Sequence, residues 1–292
     1  MEDYIVSATA AGGTVRAFAA STTNMVKQAA EMHGLSPVAS AALGRSLTAS
    51  AIMSKMLKGE RDTITIQIKG DGPLGGIVVI SDSNANTRGY VHNTQVELPL
   101  SDEGKLNVGE AVGKNGYMNV IKDLGLKEPY IGYVNLISGE IAEDIAYYFA
   151  SSEQVPSVVA LGVLIDSDGS VINAGGYIIQ LMPGAEEQMI RYIENTIASI
   201  PSVSAMLAYG ETPEGILDII FGEKDLKINS KSRCAYLCNC SRERMERNLI
   251  SLGRAEILSI MEEQRSAELQ CHFCNSKYQF SEEQLRTLIN EL

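Results

Sequence analysis

Two close cysteine pairs, Cys238-Asn239-Cys240 and Cys271-His272-Phe273-Cys274, stand thirty residues apart near the end of this chain. Four thiolates in two such pairs suit tetrahedral zinc. A Cys-x-x-Cys pair lets two sulfurs converge on one ion from a tight turn. A Cys-x-Cys pair does the same from an extended segment with a small twist. The gap exceeds the roughly 15–20 residues usual between such pairs, and one intervening helix accounts for the excess. A set of buried free cysteines is the plain alternative, and paired spacing speaks against it.

The metal reading carries an energetic consequence. A tail of about sixty residues has a core that rarely supplies more than ~3–5 kcal/mol. A structural zinc site contributes apparent values of about 10–16 kcal/mol. The tail is therefore expected to fold only with its metal, and to melt when the ion is removed or its thiolates are oxidised. An inert structural zinc is the competing expectation, and spacing alone does not separate the two.

Charge marks the same division. Of 24 basic and 36 acidic residues, nine of each fall from Lys231 onward, so that stretch is neutral. The rest holds 15 basic and 27 acidic residues and carries the whole net charge of −12. An acidic body repels phosphate backbones, which argues against nucleic-acid binding. All five cysteines lie between Cys234 and Cys274. The start, Met1-Glu2-Asp3-Tyr4, lacks a basic region followed by an apolar run, and no window approaches 18 uninterrupted apolar residues. The expectation is no signal peptide, no membrane span and a reducing, cytoplasmic compartment. There, clustered cysteines read as metal-binding or redox-active.

The periodicities predict an α+β fold: a mixed body over residues 1–183 with antiparallel hairpins, a helical linker over 184–230 and a small zinc-binding module over 231–292. Thr63 to Ile68 alternates polar and apolar, as a half-buried strand does. Gly70 to Gly76 turns the chain into the apolar run Ile77–Ile80. Val158 to Ile165 and Val171-Ile172 flank a Gly-ended turn, and Tyr177 to Leu181 is a further strand. Helices are predicted over Ala39 to Leu57, rich in small residues, and over Glu140 to Ala150. In the linker, Met189, Tyr192, Ile193, Ile197 and Ile200 follow helical spacing. Thr212-Pro213-Glu214 starts another helix, closed at Gly222. These apolar faces need a partner, which the body would supply. In the tail, one helix is predicted from Ser241 to about Glu263. A last one starts at the Ser281–Gln284 capping box, with Leu285, Leu288, Ile289 and Leu292 as its stripe.

Other candidate chemistry is weak. Gly70 to Gly76 lacks the Lys-Ser/Thr of a phosphate loop, Pro73 removes a donor, and a strand follows; it reads as a structural turn. Glu140, Glu143 and Asp144 suit the first turn of a helix through its dipole rather than acid–base catalysis. No Ser-His-Asp, metal-hydrolase or dinucleotide pattern is present, so no enzyme activity is expected. Cys234 reads as a spectator outside the four-sulfur set, His272 as solvated or outside the ligand shell, and His33 and His92 as ordinary surface or satisfied residues.

With these residues in view, the chain resembles a known family, the redox-regulated holdase chaperones called heat-shock protein 33 or 33-kDa chaperonin. In the tail the resemblance rests on Cys238-x-Cys240 and Cys271-x-x-Cys274. In the body it rests on Gly70-Asp71-Gly72-Pro73-Leu74-Gly75-Gly76, Ser138-Gly139-Glu140, Tyr147-Tyr148, the run Ser151 to Ser157, and the run Ala174 to Gly184. It covers essentially the whole chain. It implies one zinc per chain held by Cys238, Cys240, Cys271 and Cys274 in a reduced, inactive form. Under oxidative stress it implies disulfides Cys238–Cys240 and Cys271–Cys274, zinc release, an unfolded tail and a destabilised linker. Apolar surface then becomes available to unfolding client proteins, and the chain becomes a homodimer. No ATP is implied, which agrees with the missing nucleotide motif. Cys234 lies outside the family's four-cysteine pattern.

Two other classes compete. A zinc-ribbon module binding nucleic acid or protein would need a basic stripe near the cysteines. A thiol oxidoreductase using Cys271 and Cys274 would need a βαβ context before them.

Overall fold

The structure, a computed structural model, describes residues 2–290; Leu292 of the predicted terminal stripe lies outside the described residues. Two compact units divide the chain, Met1–Leu237 and Cys238–Leu292. Residues 231–237, grouped with the tail on charge and cysteine content, belong to the first unit. They do so through backbone pairing, which composition does not see.

The first unit contains β1 (Tyr4–Ala10), β2 (Val15–Ser21), α1 (Thr23–His33), α2 (Pro37–Ser54), β3 (Thr63–Lys69), β4 (Ile77–Asp82) and β5 (Asn86–Val91). It continues with α3 (Val108–Val112), β6 (Tyr117–Asp123), β7 (Tyr130–Asn135), α4 (Ile141–Ser151), β8 (Ser157–Ile165) and β9 (Val171–Leu181). Then come α5 (Glu187–Ser199), α6 (Val203–Ala208), α7 (Pro213–Phe221), β10 (Lys227–Arg233) and β11 (Ala235–Tyr236). One antiparallel sheet runs β10-β1-β2-β9-β8. The other runs β11-β5-β4-β3-β6-β7, with only β11 parallel to its neighbour. The expected α+β class with antiparallel hairpins is the one found.

Helix α2 lies between the two sheets, in contact with β3, β4 and β5 of one and β8 and β9 of the other. Its sequence explains the place. Arg45 is its only charged residue, and Leu43, Leu47, Ile52 and Met53 are buried among alanines and serines. At Gly44 a β-carbon would stand 2.6 Å from Val26 Cγ1 and 2.9 Å from Val163 Cγ2, so no larger residue fits there. The helix begins at Pro37, after Ser36 at the cap position, two residues before the predicted start. Buried hydroxyls that cost stability unpaired find partners: Thr22 with Thr48 at 2.7 Å, and Ser50 with Ser81 at 2.7 Å.

The linker helices take the partner surface their stripes require. A second core joins Val6, Ala17 and Ile179 of the first sheet's outer face to Met206, Ile216, Leu217, Ile220 and Phe221. Thr212 Oγ1 accepts from Gly215 N at 3.1 Å and caps α7, as its Thr-Pro-Glu start predicts. Helix α5 is the shallowest of the three, with Ile193 as its fully buried side chain.

The glycine-rich turn is a junction. Gly72 N donates to Val112 O and Leu74 N to Ala111 O, both at 2.9 Å, so its donors are spent on the end of α3. A β-carbon on Gly139 would stand 2.6 Å from Gly109 O and 2.9 Å from Gly113 O. Gly139 also has φ +77, which glycine alone adopts without strain. Asp144 is fully buried and accepts from Ile137 N at 2.7 Å and Ser138 N at 3.3 Å. Glu140 accepts from Gly109 N at 3.1 Å and pairs with Arg45. These carboxylates clamp backbone, which goes further than the helix dipole.

The second unit contains α8 (Arg242–Leu252), α9 (Arg254–Gln264), β12 (Ser266–Gln270), β13 (Lys277–Ser281) and α10 (Glu282–Asn290). The single helix predicted over 241–263 is two helices, broken at Gly253 with φ +86. Apolar spacing does not register a break that keeps both stripes on one core. Met245, Leu249, Ile257, Phe280 and Leu285 form that core. Ser281 and Gln284 cap α10 reciprocally: Ser281 N donates to Gln284 Oε1 at 3.0 Å and Gln284 N to Ser281 Oγ at 3.4 Å.

Candidate metal centre

Cys238 and Cys240 lie in the short segment between β11 and α8. Ser241 follows at once and caps that helix, its Oγ accepting from Arg244 N at 3.3 Å. Between them Asn239 is engaged with Arg244, its Oδ1 accepting from the guanidinium at 2.6 Å.

Cys271 and Cys274 occupy the turn between β12 and β13. Those strands pair antiparallel from Ser266↔Ser281 to Gln270↔Lys277. Cys271 N donates to Ser276 O at 2.9 Å, and Asn275 N to Cys271 O at 2.8 Å. Asn275 takes φ +58, a conformation asparagine tolerates, so the turn tightens enough to aim both sulfurs one way.

The four sulfurs lie within 4.8 Å of one another. Cys238 Sγ is 3.7 Å from Cys271 Sγ, and Cys240 Sγ is 3.2 Å from Cys274 Sγ. A tetrahedral zinc with bonds near 2.3 Å sets its sulfurs about 3.8 Å apart. The donor set and its spacing fit such an ion, and no other group of three or more potential ligands gathers among the described residues. Backbone N–H groups aim at the cluster too, from Cys240 toward Cys238 and from Phe273 and Cys274 toward Cys271.

The sulfurs are not equivalent. Burial holds the Cys238 and Cys271 thiols above the ordinary thiol range. Burial also acts on Cys274, but the Ser276 hydroxyl and N–H, with the neighbouring thiols, outweigh it and bring Cys274 down to about 7. Tyr278, whose hydroxyl lies 3.1 Å from Cys240 Sγ, is pushed up to about 12 by that contact. Neither Ser276 nor Tyr278 figures in the cysteine spacing. For Tyr278 the available signal was the two-residue alternation of β13, which puts it on the same side as Phe280 and was not read from the sequence.

The remaining candidates fall elsewhere. Cys234 is buried in the first unit. Its N–H donates to Asp3 O at 3.2 Å, and burial with the nearby Asp3 carboxylate pushes its thiol up to about 12. It is outside the four-sulfur group. His33 Nε2 lies 3.1 Å from Tyr236 Oη, and His92 stacks on Tyr90 at 5.8 Å. His33 is thus a partnered side chain and His92 an exposed surface one. His272 supplies no sulfur-cluster ligand in this geometry.

Known proteins are similar to this chain over nearly all of its length. The family model described as "Hsp33 protein" matches residues 3–281. The 33 kDa chaperonin of Acetivibrio thermocellus is 62% identical over 289 residues, 99% of this chain and 97% of that one. That of Ruminiclostridium cellulolyticum is 61% identical over 291 residues, 100% of this chain and 99% of that one. The crystal structure of the 33 kDa chaperonin (heat shock protein 33 homolog) of Thermotoga maritima superposes with a TM-score of 0.91 at 39% identity, covering 100% of this chain and 99% of that one. A four-sulfur cluster on a small module, a two-sheet body around a buried helix, and similarity that runs from end to end place the chain in the Hsp33 family.

Proposed function

We propose that the chain is an ATP-independent holdase chaperone, idle when reduced and metal-bound and switched on by oxidation. One observation carries the reading: four sulfurs converge within 4.8 Å on a module of 55 residues. Held by Cys238, Cys240, Cys271 and Cys274, one zinc ion would cross-link the segment before α8 to the β12–β13 turn. The names of the relatives, 33 kDa chaperonins, support a chaperone.

In the oxidative step a cysteine thiolate attacks one oxygen of peroxide. The O–O bond breaks, hydroxide leaves and a sulfenic acid forms. The neighbouring thiol then closes an S–S bond and water leaves. Two thiols and one peroxide thus give one disulfide and two waters. The pairs are Cys238–Cys240 and Cys271–Cys274, as the family resemblance implies. A disulfide has no charge to offer a cation, so the cross-link is lost and the tail loses its largest stabilising term. The linker over 184–230 then loosens, α5 first, and apolar surface becomes available to unfolding proteins. Residues 1–183 act as the chaperone body. The active form is a homodimer, works in the cytoplasm under oxidative stress, and uses neither nucleotide nor nucleic acid nor membrane.

The test is a paired assay on a thermally unfolding client. Reduced, zinc-loaded protein should leave aggregation unchanged. Peroxide-treated protein should suppress it at mild heat, with one zinc released per chain and a dimer in sedimentation. Equal performance of the two forms would overturn the switch.

A further inference from the structure

Among the described residues, two hydroxyls reach the sulfur cluster, and they reach different sulfurs. Tyr278 Oη lies 3.1 Å from Cys240 Sγ, and Ser276 Oγ lies 3.2 Å from Cys274 Sγ. Both belong to β13 and the turn that leads into it. A hydroxyl is an adaptable contact on a surface, but Tyr278 is not free to adapt. It sits opposite Leu269 on β12 and packs with the tail core beside Phe280. Its ring is therefore fixed by packing, and its hydroxyl is delivered to the sulfur by the hairpin.

A metal-bound thiolate has lone pairs and no proton. In such a contact the tyrosine must donate. A donated hydrogen bond to an anion is among the stronger ones, and it draws charge away from the sulfur. Partners of this kind orient metal ligands and tune them, and their loss typically costs on the order of 10–100-fold in metal affinity. The same withdrawal of charge slows attack by that sulfur on an electrophile.

We infer that Tyr278 is a positioning residue for the sulfur cluster, its hydroxyl donating to Cys240 so that this thiolate is held in the orientation the cation needs and meets electrophiles more slowly, with Ser276 acting in the same way on Cys274. This inference rests on the metal-centre reading above. It adds a division of labour among the four cysteines: each hydroxyl shields its own sulfur, and the β12–β13 hairpin sets the reactivity of a sulfur from the other pair.

The test uses the full chain loaded with zinc or with cobalt(II), and Tyr278→Phe, which keeps the ring and removes the hydroxyl. Three quantities are read. Zinc affinity by chelator competition should fall about 10-fold. The sulfur-to-cobalt charge-transfer band should move to longer wavelength, because the thiolate becomes more electron-rich. Alkylation by iodoacetamide, in which the sulfur bonds to the methylene carbon and iodide leaves, should speed up several-fold at Cys240 by peptide mass spectrometry, with Cys274 unchanged. Ser276→Ala should give the mirror image, faster at Cys274 and unchanged at Cys240. A tail that is merely loosened would quicken all four cysteines together, and that result overturns the inference. So do an unmoved band and unchanged rates in Tyr278→Phe. If Tyr278→Phe takes up no cobalt, the decision passes to Ser276→Ala, whose selectivity for Cys274 is required. Wild-type chain that binds neither metal sinks the metal-centre reading instead, so the two failures are told apart.

Discussion

The two units of this molecule reach a folded state by different physical routes. The first, Met1–Leu237, buries one helix between two sheets and covers an outer sheet face with three more helices. Its largest buried side chains include Tyr148, Phe149, Phe221 and Ile52. The second, Cys238–Leu292, closes a core around Leu249, Ile257, Phe280 and Leu285, with Cys271 counted among the buried groups. Core size separates them. Apolar burial at about 25 cal/mol per Å² can hold a domain of over two hundred residues against its chain entropy. It rarely leaves more than ~3–5 kcal/mol in one of fifty-five. On the function proposed above, a stable body carries a tail whose order depends on a metal ion, and such a tail would be switched without touching the body's core.

Removing the metal has the largest expected effect. A chelator acting on the zinc-loaded protein should abolish amide-exchange protection in β12, β13 and α10, a loss on the order of 10 kcal/mol. Protection in α2 and β9 should stay. Equal loss in both units, or none in either, would break the contrast.

Matched truncations sharpen it. Phe221→Ala empties part of the body's second core and should cost about 3–5 kcal/mol in chemical unfolding of the first unit. Phe280→Ala should cost a similar amount in the tail. That is less than the metal supplies, so the loaded tail should remain ordered and the metal-free tail should show no residual protection at all.

The two units should also respond to acid with opposite sign. Burial raises the Asp3 and Asp144 carboxyls above the ordinary value of 3.8, even though backbone N–H donors oppose the shift. A raised folded-state value means that the folded body holds these protons more tightly than the unfolded chain. Their contribution to stability is therefore greatest at acid pH and declines as pH climbs from about 4 through the raised values. Asp144→Asn keeps an acceptor for Ile137 N and Ser138 N and removes the charge. The difference in unfolding free energy between this variant and the parent should accordingly grow, in the variant's favour, as pH rises from 4 toward 7. Asp144 Oδ2 has no partner to lose. The tail should do the reverse, because each cysteine must shed its proton to hold a cation, and metal loading falls as acid is added. A pH-independent difference would show that Asp144 is not held as a strained anion.

The smallest effect concerns a single cap. Thr212→Ala leaves Gly215 N without its acceptor at the start of α7 and should cost about 1 kcal/mol, read as a small drop in the midpoint of unfolding of the first unit.

Much of the molecule was legible in the chain. The four cysteines announced a tetrahedral ligand set, and the structure gathers their sulfurs. The helix over 39–57, the β8–β9 hairpin, the Thr212-Pro213 start and the Ser281–Gln284 box came from local signals that tertiary context did not override. Other elements were hidden for physical reasons. The strand Tyr4–Ala10 and its partner Val15–Ser21 are rich in alanine and serine, which carry little β signal. Strand Lys227–Arg233 is polar throughout, and only its pairing with β1 makes it a strand. The acidic trio at 140–144 suited the helix dipole, while the structure spends Asp144 on loop N–H groups and Glu140 on Arg45 and Gly109.

What the sequence determined alone is what short-range chemistry determines: the type and number of the paired thiols, helix starts and stops, and the division of charge between an acidic body and a neutral end. What only the tertiary structure decided is what distant residues do to one another. It assigned residues 231–237 to the body through strand pairing. It buried Cys234 beside Asp3 in the first unit and brought Tyr278 and Ser276 to two different sulfurs of the second. Spacing fixes which atoms are available to bind, whereas packing fixes which of them meet.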